Sequence, residues 1–212
     1  MRSVEAETGR EAIIRTAFRV FGESGIASTS LREVARAAGV SPALVVHHFG
    51  GKEGLVAATD EAALRRFGDA YRGDGAEGSE SKREADSGVR GGDGAELLRR
   101  RAAQTARVMA EMPEVCAYLG RALVEGTAGS AALFRLMIDG GREEVDALAE
   151  AGALRPDADR TWATLQHFFL IWAPLSFMPL LQGVLGDELL APAQLDRWVE
   201  ANVQLLEKGL YS

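Results

Sequence analysis

SLREVARAAGVSPALVVHHFGGK, residues 30–52, is the stretch that decides the fold. Ser30 is a helix N-cap residue, and Glu33 follows three positions later, the spacing of a capping box. Leu31, Val34, Ala35 and Ala38 then recur at i, i+3, i+4 and i+7, one apolar stripe of a helix. Gly39 supplies the left-handed residue that ends it, and Val40 plugs the corner. Ser41 caps the next helix and Pro42 fills its first turn, where a missing N–H costs little. Val45 and Phe49, four apart, face inward, which leaves Leu44, His47 and His48 towards the outside. Two short helices joined by a glycine turn are the sequence form of a helix-turn-helix. In that motif one helix braces and the next enters a DNA major groove.

Helical patterning extends outward in both directions. Upstream, Thr8 and Glu11 stand at capping-box spacing, and Ile13, Ile14, Ala17, Phe18 and Phe21 form a broad apolar face. That helix stops between Gly22 and Gly25. Downstream, Lys52 opens a fourth helix through Leu55, Val56, Ala63, Leu64 and Phe67. Residues 73–94 are almost all Gly, Ser and charged residues, and are read as a flexible loop. Apolar periodicity resumes over 95–112, 113–126, 130–151, 157–185 and 192–210. Gly140 and Gly141 mark a kink or close approach inside the third of these. No segment alternates with period two. The expectation is an all-α chain of about nine helices. A three-helix helix-turn-helix head would cover residues 1–52, and a larger helical domain residues 53–212.

The chain has 212 residues, 47% hydrophobic and 26% charged, which is ordinary for a soluble globular protein. It shows no basic-then-apolar leader and no apolar run long enough to span a bilayer, so a cytoplasmic, membrane-free protein is expected. A single cysteine, Cys116, cannot form an internal disulfide and fits a reducing compartment. The net charge is −7, unusual for a partner of nucleic acid. Its distribution removes the conflict. Residues 1–60 hold seven basic and seven acidic residues, while the remaining 152 hold 17 and 24. Between Val34 and Lys52 there is no Asp or Glu, so the motif has a locally positive edge.

The order FxxxGxxxTSLREVARAAGVSPALVVHHFGGKEGL resembles the DNA-binding domain of the TetR family of bacterial transcriptional regulators. Phe21, Gly25, Thr29, Ser30, Val34, Ala35, Ala38, Gly39, Val40, Ser41, His47, Phe49, Lys52, Glu53 and Leu55 carry the likeness. It covers about the first quarter of the chain; the rest shares only length and helical pattern with the family. The family usually has an aromatic where this chain has Val46, and a small or hydroxylated residue where it has Leu44. The resemblance implies phosphate contacts from His47 and Lys52. Lys52 also opens a helix, whose N-terminal amides favour a phosphate. Thr29 or Ser30 at the second helix's N-terminus, and Arg32 and Arg36, are further backbone-contact candidates. Base reading falls to Ser41, Pro42, Ala43 and Leu44, whose side chains favour apolar contact with thymine methyls. Val46 and His48 complete the candidate DNA surface. Adjacent helical residues point about 100° apart, so His47 and His48 cannot share a metal ion, and no metal or other cofactor is expected.

The C-terminal region is rich in aromatic residues and Met. Met109, Met112, Phe134, Met137, Trp162, Gln166, His167, Phe168 and Trp172 are candidate walls of an apolar effector cavity, with Gln166 and His167 as its polar groups. Core packing and a dimer face explain the same residues equally simply. The last two predicted helices carry surplus apolar residues, including Trp198, Val199, Leu205 and Leu206, which fits pairing with a second copy. The expected protein is thus a ligand-responsive DNA-binding regulator, a repressor. It would bind a near-palindromic double-stranded operator as a homodimer and release it to a small apolar effector. Two other readings stay open: a helical enzyme with a helix-turn-helix-like head, and a structural dimer that no longer binds DNA. No Ser/His/Asp or Cys/His arrangement, phosphate loop or metal-spaced cluster favours the enzyme.

Overall fold

The capping signals around residue 30 do in three dimensions what their spacing demands. Ser30 holds an extended backbone (φ −92°, ψ 155°) and its Oγ accepts the Glu33 amide at 3.3 Å. The Glu33 carboxylate reaches back to accept the Ser30 amide at 2.6 Å, closing the capping box. That geometry starts α2 (Leu31–Ala37). Gly39, at φ +70°, turns the chain, and Ser41 Oγ accepts the Leu44 amide at 3.2 Å to start α3 (Pro42–Phe49).

The computed structural model describes residues 2–76, 94–150, 152, 154–186 and 190–209. Those residues form ten α-helices. Besides α2 and α3 they are α1 (Arg2–Ser24), α4 (Lys52–Ala76), α5 (Gly94–Glu111), α6 (Pro113–Glu125) and α7 (Ser130–Glu150). The last three are α8 (Arg160–Ser176), α9 (Met178–Leu185) and α10 (Pro192–Gly209). The all-α expectation holds, with three local differences. Helix α1 begins at Arg2, so Thr8 lies inside the helix and not at its cap. Residues 73–76 continue α4, while 77–93, the bulk of the expected loop, lie outside the described residues. The single helix expected over 157–185 is two. Pro179 has no amide N–H to bond the Leu175 carbonyl, and the chain breaks at Phe177, whose amide bonds the Pro174 carbonyl instead.

The chain divides into two compact units that are discontinuous in sequence: Met1–Phe67 with Pro113–Phe134, and Gly68–Met112 with Arg135–Ser212. In the first, the apolar face of α1 meets α2, α4 and α6. Ile13, Ile14, Ala17, Phe18 and Phe21 are all buried there, with Val34, Val45, Leu55 and Leu119. Helix α1 packs along α6. A β-carbon on Gly22 would lie 3.0 Å from the Ala117 Cβ and 3.2 Å from the Tyr118 amide, so glycine permits that close approach. The Phe18 and Tyr118 rings meet edge to face at 5.5 Å. The second unit closes around Val145, Leu148, Leu154, Ala163, Val203 and Leu206, and α5 packs along α10.

Candidate nucleic-acid interface

Helix α3 shows one buried side chain to the fold and a row of exposed ones to solvent. Val45 is fully buried and Phe49 half-buried beneath the Arg10 guanidinium, 5.3 Å from its ring centre. Ser41, Pro42, Ala43, Leu44, Val46 and His47 are all exposed, Leu44 at 36% and Val46 at 47%. His48 is half-buried, its ring edge to face with that of His47 at 5.5 Å. Helix α2 leaves Arg32 and Arg36 exposed. The α3 surface is therefore an apolar N-terminal ridge followed by imidazoles. It carries no carboxylate.

Two of the predicted residues also have work inside the fold. Thr29 is buried and its hydroxyl donates to the Gly25 carbonyl at 2.7 Å. Lys52 Nζ donates to the Ala27 carbonyl at 2.9 Å, which ties the start of α4 to the loop before α2. The Glu33 carboxyl is held below its usual range, first by the Ser30 backbone amide, then by the Ser30 hydroxyl.

Sequence reasoning missed the polar ties that hold this head. Asp60, buried in α4, accepts the Tyr118 hydroxyl at 2.7 Å, the Thr127 hydroxyl at 3.0 Å and the Gly129 amide at 3.0 Å. Burial, and then the Asp60 carboxylate, hold the Tyr118 phenol far above its usual range. Glu125 accepts two amides of the α1–α2 loop. An isolated Asp or Glu in an amphipathic helix looks like any solvated charge, so no local signal marks either one.

The candidate effector residues differ in exposure. Met109, Met137, His167 and Trp172 are buried, Met112 and Phe168 half-buried, and Trp162, Gln166 and Phe134 exposed. Phe134 belongs to the first unit and the other eight to the second. A cavity of about 40 Å³ in the second unit takes only His167 from that set. Thr105, Glu144, Leu170, Ile171, Trp198, Val199 and Asn202 also line it. It has room for a few water molecules, far short of the hundreds of Å³ that a drug-sized ligand fills. His167 Nδ1 lies 3.0 Å from the Ala163 carbonyl. No helix among the described residues is long and apolar enough to cross a membrane.

This capped helix pair, with its exposed second helix, defines a helix-turn-helix DNA-binding head. Residues 13–59 match the family "Bacterial regulatory proteins, tetR family", which places this N-terminal head in that family. It is a family of transcription regulators and not of enzymes. The chain is 35% identical over 159 residues to the HTH-type transcriptional regulatory protein RaaS of Mycobacterium tuberculosis. The match covers 75% of this chain and 65% of that protein. It is 45% identical over 60 residues to the HTH-type transcriptional regulator BetI of Rhizobium meliloti, 28% of this chain and 30% of that one. It thus spans less than two thirds of either relative. The fold extends further than the sequence likeness. FadR, a fatty acid degradation regulator from Bacillus halodurans, superposes with a TM-score of 0.68 at 18% identity, over 93% of each chain. The TetR-family regulator PfmR from Thermus thermophilus gives 0.64 at 21% identity, over 93% of this chain and 95% of its own.

Proposed function

We propose that the protein is a ligand-responsive transcriptional repressor that binds a near-palindromic operator as a homodimer in the cytoplasm. The observation that carries this reading is α3. It is capped at its start by Ser41, buried only through Val45, and presents Ser41, Pro42, Ala43, Leu44, Val46 and His47 outward. Residues 1–52 act as the DNA-binding head and 53–212 as the effector-binding and dimerising body. Ser41 to Leu44 read base edges by apolar contact. Ser30, Arg32, His47, His48 and Lys52 meet phosphates, Lys52 with the donors its Ala27 bond leaves over. Thr29 contributes through its backbone.

Dimerisation is supported by exposed apolar side chains on α8, α9 and α10: Trp162 and Phe169, Leu180 and Val184, and Leu205. Leu206, by contrast, is turned into its own core. A dimer on successive major grooves needs recognition helices about 34–36 Å apart. An effector that fits only a body with another spacing lowers operator affinity by the factor by which operator lowers its own. The 40 Å³ cavity must open to admit it. Selection of bound duplexes from a random pool tests the reading. Enrichment of a two-half-site sequence is expected; recovery of no preferred sequence by a dimeric protein would refute it.

A further inference from the structure

The loop between α1 and α2 is gripped from a helix far along the chain. Glu125, the last residue of α6, accepts the Ile26 amide on Oε1 at 3.0 Å and the Ala27 amide on Oε2 at 2.7 Å. Two consecutive amides on the two oxygens of one carboxylate fix the loop's orientation as well as its distance. The same loop is held from another side by Lys52, whose Nζ donates to the Ala27 carbonyl. Gly25, at φ +86°, makes the arrangement possible: a β-carbon there would lie 3.0 Å from Glu125 Oε1. Three residues beyond Ala27, Ser30 begins the capping box of α2. Helix α6 is itself anchored, because Asp60 of α4 binds Tyr118 and the turn after α6.

We propose that Glu125 is a positioning residue for DNA binding. It sets the orientation of the α1–α2 loop, and through it the N-terminus of α2 and the α2–α3 pair, without touching DNA. The inference rests on the reading that the α2–α3 pair meets DNA. Its discriminating feature is a sign. A carboxylate near a DNA-binding surface repels phosphate, so simple electrostatics says that removing one strengthens binding. A positioning role says the reverse.

The experiment measures affinity against salt for a labelled duplex selected from a random pool by the wild-type protein. The variants are Glu125→Ala, Glu125→Gln, Glu23→Ala, and Arg32→Ala combined with Arg36→Ala. Amide exchange of Ile26 and Ala27 is followed in parallel. Glu125→Ala should weaken binding about three- to ten-fold, the scale of one or two lost hydrogen bonds. Its slope of log affinity against log salt should not change, because no phosphate contact is lost. Exchange at both amides should quicken. Glu125→Gln keeps an acceptor and should lose less. Glu23, an exposed α1 residue paired with Arg19, should bind as before or more tightly as alanine. Glu125→Ala that binds as tightly as wild type, or leaves both amides protected, overturns the proposal; should that variant not fold, Glu125→Gln carries the comparison. An arginine double variant with wild-type affinity and slope overturns the α2–α3 reading, and the positioning role with it. Silence of the Glu125 variants alone removes only the latter.

Discussion

Both units have apolar cores, and the first adds a set of long-range polar ties. In the first, five side chains reach across long sequence gaps to polar groups of the backbone: Asp60 to Gly129, Lys52 to Ala27, Glu125 to Ile26 and Ala27, Tyr118 to Val56, and Arg121 to Gly22. The second closes on aliphatic packing around Val145, Leu148, Val203 and Leu206. Hydrogen bonds are directional and fix angles, whereas apolar packing fixes volume and tolerates re-sorting. A head that must offer α3 to a groove within fractions of an ångström needs the first kind. A body that admits an effector, as proposed, is better served by the second.

Leu148→Ala should have the largest effect on stability. It removes a fully buried side chain from the second core and should cost about 3 kcal/mol in urea unfolding. A loss under about 1 kcal/mol would show that this core is loosely packed. Asp60→Ala should follow at about 2 kcal/mol, because it leaves Thr127 and Gly129 without their acceptor and Tyr118 with only the Val56 carbonyl at 3.4 Å. Its counterpart in the second unit, Asp146→Ala, breaks an exposed pair with Arg160 and should stay within about 0.5 kcal/mol. Equal costs at Asp60 and Asp146 would erase the contrast.

This contrast also explains what the sequence revealed. Caps, positive-φ glycines and apolar periods are local, so Ser30, Glu33, Gly39, Ser41 and the α1 face could be read from spacing alone. The exposed row on α3 followed from the inward pair Val45 and Phe49. Glu125 and Asp60 act 58 to 99 residues away from their partners, and nothing in their own neighbourhood announces it. That the cavity takes only His167 from the candidate effector residues has a related reason. Aromatic and Met content marks burial, but which buried residues border a cavity depends on how helices cross, and Glu144, Trp198 and Asn202 entered that lining unforeseen.

Smaller effects sharpen the head's side of the comparison. Lys52→Ala should weaken DNA binding by several-fold to all sequences and flatten the salt slope by roughly one unit. A weakened affinity with an unchanged slope would mean that Lys52 acts only through Ala27. Burial pushes the Cys116 thiol from its ordinary 9.0 up to about 12. The folded state thus disfavours the thiolate, and this contribution to stability is complete below about pH 9 and is lost as pH rises towards 12. At pH 8 a thiol reagent should label Cys116 only on unfolding; rapid labelling of the native protein would contradict its burial. The smallest effect is at Glu33, whose carboxyl is held low by Ser30. Its contribution is present above the usual carboxylate range and is lost as pH falls through the lowered value. Protection of the Ser30 amide, taken relative to its intrinsic exchange rate at each pH, should therefore fall in acid in wild type, and Glu33→Gln should remove that dependence.

The most direct test of the account is Leu44→Glu on the exposed ridge of α3. Leu44 is 36% exposed, so the substitution should leave the unfolding midpoint nearly unchanged while setting a carboxylate against the groove. The account predicts about a hundred-fold or greater loss of affinity for the selected duplex, with the fold intact. A folded Leu44→Glu protein that binds the duplex as wild type does would show that α3 is not the surface that meets DNA.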